Sequence, residues 1–240
     1  MPADVNSVND EIKNEIKKVL ATKHGWEKFK YFVYYYKVQA IVVVVSIAIL
    51  VSVIYDLATR KDCIFQIMVV NGEYSETLDY GPFKDAFAST LEYDEKKEEV
   101  ILDPSTHVDI YAGDQVNQMT IQKVFLNVSA ADLDVILCDE DFMRLTCAQD
   151  CAYDLSKLLT PEQMEKYGDR IHWYDFPPEE VGDDEEYKDR YEAAAIDISD
   201  CPKIKENNMF PYGNGKAYLI VVANAPHMDT VLKFIDYLEQ

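Results

Sequence analysis

The sequence predicts an α/β protein: one apolar helix near the N-terminus, followed by one domain built on a mainly parallel sheet. Three observations predict it. Between Lys37 and Asp56 run eighteen residues without a charge, VQAIVVVVSIAILVSVIY. After them, strand-like and helix-like apolar patterns alternate, as they do where helices cover a parallel sheet. Charge also divides the chain. The whole carries 23 basic and 44 acidic residues, a net of −21. Residues 1–37 hold seven lysines and five acids, which leaves 16 basic and 39 acidic residues, a net of −23, for residues 38–240. That balance excludes nucleic acid as the main partner, because phosphate would be repelled.

The organisation follows from these runs: a cytoplasmic amphipathic leader over 1–37, a transmembrane helix over 38–58 and an extracytoplasmic α/β domain over 62–240. The uncharged run, at about 1.5 Å per residue, is roughly 27 Å long, close to the hydrocarbon thickness of a bilayer. Its many β-branched residues also suit a strand, but eighteen residues is far beyond a strand's usual length. Trp26, Phe29, Tyr31, Phe32, Tyr34, Tyr35 and Tyr36 crowd the near side and Tyr55 the far side, where amphipathic rings favour the headgroup level. Lys23, Lys28, Lys30 and Lys37 precede the span, and Arg60 and Lys61 follow it. The excess of cations before the span puts the N-terminus in the cytoplasm and the C-terminal domain outside it. A cleaved signal peptide fits less well, because its charged leader would be long and Leu57-Ala58-Thr59 is a poor small-x-small cleavage site. In the leader, Ile12, Ile16, Val19 and Leu20 share one helical face flanked by Lys13, Lys17 and Lys18, which suits the inner membrane surface or a partner helix.

In the domain, residues 63–70 (CIFQIMVV) read as a buried strand. Asn71-Gly72 and Gly81-Pro82 punctuate the loop beyond it, before a helical face of Phe83, Ala86, Phe87 and Leu91. Residues 99–102 form a second strand, 119–128 a helix and 133–138 (LDVILC) the clearest strand, with a helix from about Asp141. Thr160-Pro161-Glu162-Gln163 starts another helix, with Thr160 as cap and Gln163 closing a capping box. Residues 176–192 read as an acidic loop, 193–198 and 216–223 as strands, and Pro226 opens a final helix with Val231, Phe234, Ile235 and Leu238 inward.

Two stretches, LDVILCDEDFMRLTCAQDCAYDLSKLL and KAYLIVVANAPHMDTVLKFIDYLEQ, with residues 63–71 as a first strand, resemble bacterial extracellular solute-binding proteins. In that family a strand ends in a polar residue, a helix follows and a "dLs" segment closes the unit. The resemblance implies one lobe of a periplasmic binding protein, since too little chain lies between Tyr167 and Ala193 for a second. The membrane helix would stand where that family carries a lipid-attached cysteine.

Candidate chemistry is sparse. His24, His107, His172 and His227 have no metal-motif spacing, no C-x-x-C occurs, and no cofactor is expected. Gly213-Asn214-Gly215-Lys216 precedes a strand and is a turn, not a phosphate loop. The acidic run Asp183-Asp184-Glu185-Glu186 lacks calcium-loop spacing. Of five cysteines, Cys63 and Cys138 lie in strand runs. Cys147 and Cys151, four apart, form a possible disulfide if the helix ends near Cys147, and a strained one if it continues. Ligands in open α/β sheets sit beyond the carboxyl ends of strands. Asn71 and Glu73 follow the first strand, and Asp139, Glu140 and Asp141 follow the clearest one. These five are the candidate ligand-binding set; the plainer reading is a solvated loop in which Asp139 or Asp141 caps a helix. The expected function is a non-enzymatic, single-pass, membrane-anchored binding or interaction module. Its partners are the lipid bilayer and an envelope or membrane protein, with a small-molecule ligand left open. The alternative is a structural or assembly subunit of a membrane complex.

Overall fold

The structure is a computed structural model describing Asn14, Lys18 and residues 25–73, 79–175, 191–211 and 215–240. The chain forms two compact units, residues 1–60 and 61–240. Most of the leader, including Ile12, Ile16, Val19 and Leu20, lies outside the described residues, as do the acidic run at 183–186 and Gly213-Asn214.

In the first unit, α1 (Trp26–Thr59) is one unbroken helix. Its stretch Lys37–Thr59 contains an 18-residue window of mean hydropathy 2.7 and is long and apolar enough to cross a membrane. Large apolar side chains from Ile41 to Leu57 stand exposed, the state that lipid would cover. At its start Trp26 stacks on Phe29, and Lys30 and Lys37 lie over the rings of Trp26 and Tyr34.

The second unit is built on β1 (Asp62–Val70), β2 (Glu98–Thr106), β3 (Val135–Cys138), β4 (Ile171–Asp175), β5 (Tyr191–Asp197) and β6 (Tyr218–Val221). Its helices are α2 (Gly81–Ala88), α3 (Gln115–Ser129), α4 (Glu140–Ala148), α5 (Pro161–Tyr167), α6 (Pro202–Glu206) and α7 (Met228–Leu238). The strands form one sheet in the order β2-β1-β3-β6-β5-β4. β1 runs parallel to both β2 and β3, but the β3–β6, β6–β5 and β5–β4 pairs are antiparallel. The sheet is therefore mixed, which corrects the expectation of a mainly parallel one. The physical reason lies in the pairing. β4 and β5, consecutive in sequence, pair antiparallel, and β6 lies between β3 and β5 and runs opposite to both. Alternation of strand and helix patterns does not fix these directions, which pairing between distant segments decides.

Several boundaries also move. β4, IHWYD, is a strand that apolar patterning does not reveal, because its outer positions His172, Tyr174 and the partly exposed Trp173 are polar or aromatic. β2 runs on through Pro104, tolerated because β2 is an edge strand. α2 begins at Gly81 with Pro82 in its first turn, so that pair starts a helix and is not only a loop signal. At α5 the expected capping box forms, with Thr160 and Gln163 bonding each other's backbone N–H.

The core centres on aromatic rings. Phe65 of β1 meets Phe87 of α2 and Phe234 of α7 at 5.3 and 5.4 Å between centroids, and Phe83 and Tyr237 complete the cluster. All but Tyr237 are at most 2% exposed, and the Tyr237 hydroxyl donates to the Phe83 carbonyl. This packing holds α2 and α7 against the same strand.

At the amino end of β3, Asp134 is completely buried yet fully engaged. Its carboxylate accepts from the backbone N–H of Gln66 at 2.8 Å and of His227 at 2.9 Å, and meets His227 Nδ1 at 3.0 Å. His227 caps α7, so this carboxylate fixes where the last helix starts. At the far end of α7, Glu239 pairs with Arg170 and accepts from the Cys201 thiol. Burial pushes the Glu239 carboxyl up, but Arg170 and the Cys201 thiol outweigh it and hold the group below its ordinary value.

Candidate functional site

Strand order places the site. From β1 the chain crosses to β2 on one side and then to β3 on the other, so the β1–β3 junction is a topological switch point. Connections leaving in opposite directions open a crevice at the carboxyl ends there. A pocket of about 490 Å³ occupies this edge, lined by Asn71, Val108, Asp109, Ile110, Tyr111, Asp139, Glu140, Asp141, Phe210 and Lys216. Four of the five sequence candidates, Asn71, Asp139, Glu140 and Asp141, are thus brought together.

Asn71 is the clasp of the rim. Its φ of 59° is left-handed, a conformation asparagine tolerates better than most residues. That turn aims its side chain across both neighbouring loops. Nδ2 donates to the Val108 carbonyl at 2.9 Å and to Asp139 Oδ2 at 2.8 Å, while Oδ1 accepts from Val108 N–H at 2.7 Å. One residue therefore ties together the ends of β1, β2 and β3. Gly72 must follow, because a Cβ there would lie 2.5 Å from Val69 Cγ1 and 3.2 Å from the Met209 carbonyl.

Asp139 caps α4, accepting from Phe142 N–H at 2.9 Å. The capping role and the pocket position are therefore one and the same residue, not alternatives. Glu140 pairs with Arg144 one turn along at 2.7 Å. Asp141 accepts from the Tyr111 hydroxyl at 3.1 Å, and that bond raises the Tyr111 phenol above its ordinary value. Asp109 shapes the 107–114 loop, accepting from the N–H of Tyr111 and Ala112. Lys216 enters from the segment just before β6, beside Tyr218, which pairs with Cys138 across the β3–β6 ladder. The Tyr218 hydroxyl and the Glu140 carboxylate raise the Lys216 ammonium above its ordinary value, so it is charged at neutral pH. Behind the rim, burial and the Arg144 cation lower His172 below 6.5.

Glu73 does not join the pocket lining. The turn at Gly72 carries it away, its N–H donating to the Met209 carbonyl at 2.7 Å and its own carbonyl accepting from the Tyr80 hydroxyl at 2.6 Å. Its Oε2 is buried without a hydrogen-bond partner among the described residues. Cys147 and Cys151 are free thiols in the structure. α4 ends at Ala148; Cys147 turns inward onto Met143 sulfur, and Cys151 donates to the Gln149 carbonyl. Burial pushes the Cys147 thiol up to about 12. Among the described residues, no three His, Cys, Asp or Glu side chains converge as a metal site.

Sequence reasoning alone does not find Asp109, Tyr111, Phe210 or Lys216 as pocket residues. The signal for the first two was present: the rule that singles out the residues beyond β1 and β3 applies equally to β2. It points to 107–111 once β2 is seen to run to Thr106. Phe210 and Lys216 reach the pocket only through the antiparallel half of the sheet, which no local pattern announces. In comparisons with known proteins the chain matches no family model, no curated protein and no solved structure.

Proposed function

We propose that the chain is a non-enzymatic, single-pass membrane protein, N-terminus cytoplasmic, whose extracytoplasmic domain binds a small polar ligand at the β1–β3 switch point. The observation that carries this reading is the pocket itself, at the strand ends where open α/β sheets bind ligands. Its lining mixes carboxylates, one ammonium and two aromatic rings, which suits a ligand with both polar and flat apolar surface. The carboxylates are held by the frame: Asp139 by Phe142 and Asn71, Glu140 by Arg144, Asp141 by Tyr111. Groups so engaged serve to position and recognise, which favours binding over proton transfer. The exposed apolar span of α1, preceded by four lysines and crowded by aromatic residues, supports the anchor and its orientation.

Thermal-shift measurements on the detergent-solubilised full chain test the ligand, using amino acids, sugars, short peptides and divalent ions as probes. One class should raise the melting temperature, and Tyr111→Ala with Lys216→Ala should weaken that rise. No shift with any probe would remove the small-ligand reading. Orientation is tested with Glu162→Cys, an exposed position on α5, and a membrane-impermeant thiol reagent on intact cells. Protection in cells with labelling after lysis would reverse the topology. The native Cys201 is unsuited to this test, being 1% exposed and against Glu239.

A further inference from the structure

The charges on the pocket at the β1–β3 switch point do not balance. Asp109, Asp139, Glu140 and Asp141 line it, with Lys216 as the one cation of the lining. Glu140 takes up both nearby cations. Arg144 bonds it at 2.7 Å, and its carboxylate is one of the groups that favour the charged form of Lys216. Arg144 acts on Asp141 as well, but more weakly. The hydrogen bonds of the other three carboxylates come from neutral donors. Asp109 accepts from the backbone N–H of Tyr111 and Ala112, Asp139 from Phe142 N–H and Asn71 Nδ2, and Asp141 from the Tyr111 hydroxyl. Among the described residues, no lysine, arginine or histidine forms an ion pair with Asp109, Asp139 or Asp141. Neutral donors hold a carboxylate in place without cancelling its charge, and a cleft lined by one sign of charge concentrates the opposite sign.

We propose that this pocket binds an organic cation, an amine carried on a compact apolar body. The inference rests on the pocket reading above and narrows its ligand. Charge selects the sign. An anion would add to the repulsion among the three carboxylates, and a neutral sugar would leave it in place. Size selects the kind of cation. The cavity is about 490 Å³, and among the described residues no three His, Cys, Asp or Glu side chains converge closely enough to hold a metal ion. The carboxylates are spread around the wall, as a ligand of several heavy atoms requires. The rings select its body. Tyr111 and Phe210 line the same cavity, and the largely exposed Tyr111 is tied by its hydroxyl to Asp141. An ammonium drawn to Asp141 therefore comes within reach of an aromatic ring. Ring faces attract cations, and their carbon surface covers an apolar stem.

Calorimetric titration of the detergent-solubilised full chain, at one ionic strength, tests it with probes matched in shape and differing in charge. Phenethylamine, phenylethanol and phenylacetate share a flat body; putrescine, butanediol and succinate share an aliphatic one. In at least one set the amine should bind several-fold more tightly than its neutral and acidic counterparts. Asp109→Asn and Asp141→Asn keep the oxygen that accepts the local hydrogen bonds, and each should weaken the amine several-fold. Glu162→Gln, the same loss of charge at an exposed position on α5, should not, which separates the pocket from the general acidity of the domain. An alcohol or acid that binds as well as its amine, or an equal loss in Glu162→Gln, would overturn the cation class. Calcium chloride binding more tightly than either amine would overturn it in favour of a metal site. Where the class falls but Tyr111→Ala still weakens the probe that binds, the pocket reading stands. If neither amine binds, the class falls, and the sugars and peptides of the thermal-shift test decide the pocket separately.

Discussion

Two aspartates flank the four-residue strand β3, and their surroundings differ sharply. Asp134, at the amino end, is completely buried, and its carboxylate is closed off by two backbone N–H groups and the His227 ring. Asp139, at the carboxyl end, also accepts two hydrogen bonds but lines an open pocket. The difference lies in what each end of the strand faces. The amino end is sealed by the start of α7, whereas at the carboxyl end the chain departs in opposite directions and leaves a crevice. The same side chain thus fastens the fold at one end of β3 and shapes the wall of an open pocket at the other.

Substitutions can break or sharpen this contrast. The largest effect is expected at the sealed end. Asp134→Ala would leave buried donors of Gln66 and His227 without an acceptor, costing about 3 kcal/mol, read as a lower urea midpoint. A cost below that of Asp139→Ala would break the contrast. Next comes Asn71→Ala, which loses three hydrogen bonds and forces alanine into a left-handed φ, costing about 2–3 kcal/mol. Asn71→Gly relieves the backbone term and should recover about 1 kcal/mol of that, separating strain from lost bonding. Asp139→Ala should cost about 1–2 kcal/mol, the usual penalty for a lost helix cap, and should alter ligand-induced thermal shifts as well.

The C-terminal fastening of α7 gives a pH test. Glu239 is held below its ordinary 4.5, so it binds protons less readily folded than unfolded. Its stabilisation is therefore present above pH 4.5 and is lost as pH falls through the folded value. Glu239→Gln should lower stability by less than about 1 kcal/mol at neutral pH and by progressively less in acid. Parallel urea titrations of parent and variant at pH 7 and in acid would show it; a gap that widens in acid would contradict the assignment. The smallest effect belongs to Asp141→Ala on the open rim, within about 0.5 kcal/mol, because its bond partner Tyr111 is 77% exposed.

Much of the fold is legible in local pattern. β1 and β3 are runs of apolar residues, the Thr160-Pro161-Glu162-Gln163 signature forms its capping box, and the inward set of α7 is as expected. At the site, Asn71 and Asp139 are legible because a strand end is a local feature. Glu73 is not, because its displacement depends on a backbone contact with Met209, far along the chain. Asp134 is invisible for the same kind of reason: within the run LDVILC it reads as one more strand position until the structure starts β3 at Val135 and His227 is seen to close over it.

By itself, then, the sequence determined the apolar span of α1, the alternation of strands and helices and the excess of acid in residues 38–240. These depend on composition and on periods of two and 3.6 residues, which neighbours along the chain establish. Only the tertiary structure decided that the sheet is mixed, that Lys216 and Phe210 line one pocket with Asp139, and that the acid-free side of α3 is exposed. Strand direction and side-chain company are set by pairing between distant segments, and that pairing leaves no periodic trace in the sequence.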